Sequence, residues 1–169
     1  MNLPDQLKDY CRYNHWANAR LTDWLYAKPA ELFENTVPSS FPSLRLTLLH
    51  IWDAELIWLD RLRGEFAPTF ASEHFTGSLD GLRQGLLANS AAFSAFVEGR
   101  PDAFFQEKIH YKNTKGDPFT TPNTEVILHC IQHSTYHRGQ LVTIARNLGL
   151  TDPPSTDYIS YVRIRPAVY

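Results

Sequence analysis

Eleven prolines constrain this chain more than any other feature. They stand at positions 4, 29, 38, 42, 68, 101, 118, 122, 153, 154 and 166, and leave four long proline-free windows: 5–28, 43–67, 69–100 and 123–152. A proline inside a helix removes a backbone donor and clashes with the preceding turn, which costs about 3 kcal/mol. Long helices can therefore run only between the prolines, and there is room for four.

Each window carries apolar residues at helical spacing. The first has Leu3, Leu7, Tyr10, Ala17, Leu21 and Trp24; the second has Leu44, Leu48, Ile51, Trp58 and Leu62, with a second stripe through Leu46, Leu49 and Ile57. The third has Leu79, Leu82, Leu86, Phe93 and Phe96, and the fourth has Val126, Cys130, His133, His137, Leu141, Ile144 and Leu148. Four amphipathic helices of roughly 20 to 26 residues, about 30–39 Å long, suit an antiparallel bundle. The expected fold class is all-α, an up-and-down antiparallel four-helix bundle, with residues 1–169 forming one domain. Helix two, apolar on two sides, should touch more than one neighbour.

Boundary chemistry agrees. Thr121-Pro122 with Glu125 in the first turn suits a helix start, and Gly149 followed by Pro153-Pro154 suits a stop. Between helices three and four, Lys108-Ile-His-Tyr-Lys112 and Pro118-Phe-Thr-Thr121, separated by Asn113–Asp117, read as a short hairpin. A short helix through Tyr158 and Tyr161 is expected in the tail from Ser155 to Tyr169.

Composition removes several function classes. A net charge of −2 with no basic run gives no electrostatic footprint for nucleic acid. No stretch approaches the ~20 apolar residues of a membrane span, and the charged start lacks a signal peptide's apolar block. Two cysteines, Cys11 and Cys130, do not make a disulfide framework, so a reducing cytoplasm is the expected location.

The chemistry concentrates in one segment, where His129, His133 and His137 stand four residues apart. Each such step stacks one imidazole above another on a helix face, and neutral imidazole is a common ligand for transition metals. With His129 as zero on the helical wheel, Val126 and Ile144 fall at about 60°, Leu148 at about 100° and Leu141 at about 120°. His133 and His137, at about 40° and about 80°, lie inside that stripe and should project into the bundle, while His129 lies at its flank. Gln140, at about 20°, is a candidate to hydrogen-bond a ligand from behind. Arg138, at about 180°, is expected to face solvent or a partner subunit. Two ligands hold a metal poorly, and His50, in the apolar run Leu48-Leu-His-Ile-Trp52, is the natural third: a buried imidazole without a partner would be costly. The wheel puts His50 opposite the Leu44/Leu48/Ile51 seam.

These segments resemble the DinB/YfiT-like superfamily of metal-dependent proteins over nearly the full length. Tyr13-Asn-His-Trp-Ala-Asn18 is similar to the family's first-helix signature, Leu49-His-Ile-Trp-Asp-Ala-Glu-Leu-Ile-Trp-Leu59 to the second, and His133-Ser-Thr-Tyr-His-Arg-Gly-Gln140 to the fourth. The resemblance implies a four-helix bundle, often a homodimer, with one divalent metal on His50, His133 and His137. It also implies a small-molecule substrate, an association with stress response, and a metal that activates water or a low-molecular-weight thiol, for hydrolysis or S-transfer. Zinc and nickel are the leading ions. The alternative is a non-catalytic metal-binding bundle acting as a dimeric interaction module.

Around the triad, Asn14 and Asn18 could contact a substrate or bond between helices. Cys130, one turn from His133, is expected to be a small buried hydrophobe, with a ligand or redox role as the alternative. A glutamate beside the histidine pair, paired Glu-x-x-His motifs, a phosphate-cradling glycine loop and a nucleophile elbow are all missing.

Overall fold

The computed structural model describes residues 2–65 and 70–166; Met1, residues 66–69 with Pro68, and residues 167–169 lie outside the described residues. In chain order the helices are α1 (Leu3–Tyr26), α2 (Leu44–Arg63), the single turn α3 (Ala71–His74), α4 (Leu79–Glu98), α5 (Asn123–Asn147) and α6 (Tyr158–Val162). Strands β1 (Lys108–Lys112) and β2 (Pro118–Pro122) lie between α4 and α5.

Side-chain caps set the starts. Asn2 accepts from the Asp5 amide (2.9 Å), Ser43 from the Leu46 amide (3.1 Å) and Ser78 from the Gly81 amide (3.2 Å), each satisfying a donor that the first turn leaves free. Helix α2 stops at Gly64 with φ 82°, a left-handed conformation that glycine adopts without strain. The 69–100 window is not one helix. Residues 75–78 interrupt it, because Ser78 caps a new start and the Phe75 ring fills the space beside Gly77 and Gly81.

The predicted hairpin is present, antiparallel, with Lys108 opposite Pro122 and Lys112 opposite Pro118. Asn113 Oδ1 accepts from the Lys115 and Asp117 amides and fixes its turn. The expected tail helix is α6, from which Tyr158 and Tyr161 donate to the buried Asp9 carboxylate of α1.

The four long helices form the expected four-helix bundle. Helix α2 packs on α5 and α4, and α1 packs on α4 and α5. Helices α1 and α4 run antiparallel, since Arg12 pairs with Glu98 at one end and Asp23 with Arg83 at the other. Helices α2 and α5 also run antiparallel, with His50 meeting His137 and Trp58 meeting His129. Helices α2 and α4 run parallel, because Trp52 lies on Gly85 while Arg63 lies over Phe96. The bundle is thus up-down-down-up rather than strictly alternating. Its second connection must return the length of α2, and Asp53 and Arg45 hold the Ser72 amide and the Gly77 carbonyl along that path.

Two apolar clusters fill the bundle. One holds Leu7, Cys11, Leu59, Phe93, Val126 and Cys130; the other holds Leu21, Leu25, Leu48, Ile51, Leu86, Leu141 and Ile144. Among the described residues, no helix is long and apolar enough to cross a membrane.

Candidate metal centre

Between the two apolar clusters every long helix contributes polar side chains. Glu55 of α2 is fully buried. Its Oε1 accepts from Asn14 Nδ2 (2.6 Å), Asn18 Nδ2 (2.8 Å) and Ser134 Oγ (3.0 Å), and its Oε2 accepts from the Ser90 hydroxyl. Arg138, only 2% exposed, donates through Nη1 to the Oδ1 atoms of Asn14 (2.7 Å) and Asn18 (2.8 Å), and through Nη2 to Thr135 Oγ1 (2.7 Å). Two buried opposite charges are therefore bridged by two asparagine amides. That is how such charges tolerate low dielectric surroundings.

This layer corrects the expectation that Arg138 faces solvent or a partner. The buried arc of α5 extends from Val126 and Ile144 through Ser134 to Ile127, Ala145 and Ile131. On the same wheel it spans about 60° to about 200°, so Arg138 at about 180° falls inside it. The stripe drawn through Val126, Leu141, Ile144 and Leu148 is narrower because it omits Ile127, Ile131 and Ala145. Asn14 and Asn18 belong to this interhelical layer.

The histidines occupy the seam between α2 and α5. His50 Nε2 lies 3.1 Å from His133 Nε2, and His137 Nε2 lies 3.2 Å from the same atom. One ligand atom from each of the three falls within 4.8 Å of the others. Three nitrogens on a tetrahedral ion at about 2.0–2.1 Å would stand about 3.3–3.4 Å apart, so two of the three separations are close to the spacing such an ion requires. Metal-free imidazoles facing one another through Nε2 can make only N–H···N bonds, and they cannot satisfy all three nitrogens at once.

The surroundings suit ligation. Gln140 Oε1 lies 2.7 Å from His137 Nδ1, which places the proton on Nδ1 and turns the Nε2 lone pair inward. Burial, and then the neighbouring imidazoles, push His133 down to about 3. Burial and His137 push His50 down to about 4, against an upward pull from Asp53. Burial also lowers His137, opposed by its bond to Gln140. All three are neutral near pH 7, the form that binds metal. His133 Nδ1 is buried without a protein partner among the described residues.

The structure brings His50, His133 and His137 together with Gln140 behind His137, and leaves His129 and Cys130 outside the cluster. His129 is exposed, with its ring 5.7 Å from His133 and edge-on to Trp58. Cys130 is fully buried in the first apolar cluster, where burial raises its thiol well above the usual range. His133 is half-buried. It lies in the α2–α5 seam rather than at the bundle centre, which Ser134 and Arg138 occupy. Phe41, which the sequence did not single out, stacks on His50 at 3.7 Å and meets His137 edge-on at 5.6 Å.

Comparison with known proteins follows the same lines. A family model described as DinB family matches residues 3–166. Protein DinB of Bacillus subtilis (strain 168) is 24% identical over 157 residues, covering 89% of this chain and 90% of that protein. Two solved structures share the fold. A DinB-like protein from Bacillus cereus ATCC 10987 has a TM-score of 0.66 at 21% identity, covering 85% of this chain and 91% of its own. YfiT from Bacillus subtilis, described as a probable metal-dependent hydrolase with an unusual four-helix bundle topology, has a TM-score of 0.63 at 14% identity, covering 87% and 90%.

Proposed function

The chain belongs to the DinB family, and on that premise we propose that it is a metal-dependent enzyme whose ion is held by His50, His133 and His137 through their Nε2 atoms. The observation that carries this reading is the convergence of three neutral imidazole nitrogens from two helices, two pairs of them 3.1 and 3.2 Å apart. A divalent ion there supplies Lewis acidity, able to bring a water proton to a pKa of about 7 or to deprotonate a thiol.

The chain's own residues set the stage for that chemistry. Gln140 fixes the tautomer of His137, and Phe41 packs on the face of His50 and keeps water from that side. The likeness to YfiT favours hydrolysis, whereas thiol transfer asks less of the protein because a thiol needs no separate general base. Asp53, the carboxylate whose charge acts on His50, is occupied by the Ser72 amide. A purely structural clamp would close a fourth position with a protein ligand. Cys130 and His129, the candidates for that role, lie outside the triad.

The test is elemental analysis of purified variants. His50→Ala, His133→Ala and His137→Ala should each lose stoichiometric zinc or nickel, while His129→Ala keeps it. Metal retained at wild-type level in any of the first three overturns the triad.

A further inference from the structure

A cavity of about 430 Å³ lies beside the histidine site, between residues 37–40 and the Tyr136–Ile144 stretch of α5. Its floor is apolar, formed by the buried Val37 and Ile144. Its walls carry the hydroxyls of Ser39, Ser40, Tyr136 and Thr143 and the amide of Gln140, and among the described residues none that lines it is charged. Gln140 joins this cavity to the triad. Its Oε1 accepts from His137 Nδ1 (2.7 Å), so its Nε2 donors point the other way, to Tyr136 Oη at 3.3 Å and Ser40 Oγ at 3.5 Å. Both bonds are longer than the usual N–H···O range of about 2.7–3.2 Å. Tyr136 accepts there, and its own O–H finds no acceptor among the described residues. Two donors are thus turned on the cavity and only weakly engaged.

Gly139 is a second, independent sign of a ligand. It stands in the interior of the 25-residue helix α5, where glycine is the least favourable residue after proline. At Gly85 of α4 that cost has a packing reason, because the Trp52 ring occupies the place of the missing Cβ. Beside Gly139 nothing lies within 4 Å of that place, and the room it leaves belongs to the cavity. Packing within the chain does not call for a glycine here, whereas an occupant of the cavity would.

We propose that this cavity binds an uncharged carboxamide bearing a small apolar group: the carbonyl oxygen accepts from Gln140 Nε2 and Tyr136 Oη, the apolar group lies on Val37 and Ile144, and Gln140 passes the effect of binding to the metal site. An ion would sit against the apolar floor with no counter-charge. A carbonyl on Nε2 polarises the Gln140 amide and holds Oε1 on His137, so ligand and metal ion each tighten the other, by reciprocal factors. The coupling rests on the metal reading above; the binding does not.

The probe is N-acetyl-leucinamide, titrated into metal-free protein and read from the side-chain amide resonances of Gln140. N-acetyl-leucine and leucinamide, an anion and a cation, are its charged counterparts. The neutral probe should shift the Gln140 amide and bind roughly tenfold tighter than either ion. Gly139→Leu, whose side chain fills the cavity, should abolish the shift while keeping stoichiometric zinc and the wild-type oligomeric state. Tyr136→Phe, which loses one donor, should weaken binding several-fold. With zinc buffered by a chelator, saturating probe should raise the zinc affinity of the wild type about fivefold and leave that of Gly139→Leu unchanged. No shift up to the solubility of the probe, equal binding of the charged counterparts, or wild-type binding in Gly139→Leu or Tyr136→Phe overturns the pocket. So does a Gly139→Leu chain that turns from dimer to monomer, because a second copy would then be what covers this face. Probe binding without a change in zinc affinity overturns the coupling. A wild type that takes up no zinc but shows the Gln140 shift overturns the metal reading and leaves the pocket standing.

Discussion

Helices α2 and α5 carry two polar clusters side by side, and the two obey opposite rules. Glu55, Ser134 and Arg138 face the bundle centre, where every carboxylate oxygen has a donor. His50, His133 and His137 face the seam between the helices, half-open, with their nitrogens turned on one another. Successive residues divide the work: His133 and Ser134 look different ways, as do His137 and Arg138. A buried carboxylate with a donor on each oxygen, opposite a guanidinium bonded through both Nη atoms and short of a partner only at Nε, ties the helices into one arrangement. A cluster that cannot satisfy itself is available to a ligand. The difference lies in the facing atoms: at the centre donors meet acceptors, whereas in the seam three like nitrogens meet one another.

The sharpest way to break this contrast is Glu55→Ala. It leaves the Arg138 charge buried and removes the acceptor for four side chains, a loss of about 3–5 kcal/mol. That is a large share of the stability of an ordinary domain. Urea denaturation of metal-free protein measures it. Glu55→Gln, with the same volume, should lose less and still take up one metal per chain. A Glu55→Gln variant that folds with wild-type stability but takes up no metal would merge the two clusters into one site.

Much of this was legible in the sequence. The proline windows located all four long helices, and the turn residues between Lys112 and Pro118 located the hairpin. The i,i+4 histidines located the seam, because helical spacing is local geometry. The central layer was written just as plainly and was missed. Leu44, Leu48, Ile51, Glu55, Leu59 and Leu62 make an unbroken core stripe with an acid in it. Asn14 and Asn18 interrupt the stripe of α1, Ser90 that of α4 and Ser134 that of α5, all at one level. A charged residue in a core stripe demands donors from neighbouring helices, and aligning the four interruptions would have named them. Helix direction was less accessible, because it depends on which helices pack together and no single window states that. Phe41 lies in a loop, where periodicity has no hold.

A smaller effect sharpens the contrast from the other side. Gln140→Ala removes the acceptor behind His137 without touching the central layer. Loss of such support weakens metal binding by roughly 10- to 100-fold. Competition with a chromophoric chelator should find that decrease in Gln140→Ala, together with a urea midpoint of the metal-free protein close to wild type. A midpoint that drops as far as in Glu55→Ala would mean that Gln140 works for the fold rather than the site.

The smallest effect concerns protons on the metal-free protein. His133 is pushed down to about 3 and His50 to about 4, both from an ordinary value of 6.5, chiefly by burial. Above pH 6.5 these imidazoles are neutral whether the chain is folded or not, and their stabilising contribution is fully present. As pH falls below 6.5 the unfolded chain takes up protons that the folded chain refuses, so stability declines until the folded-state values near 4 and 3 are passed. Metal-free wild type should therefore lose urea resistance between pH 6.5 and about pH 4 faster than metal-free His133→Ala, which has one fewer such group. The central layer predicts no such difference, because His133→Ala leaves all its donors and acceptors in place. If the two proteins lose stability in parallel across that window, the seam histidines are not held neutral by their surroundings. The distinction between the two clusters would then have to lie elsewhere.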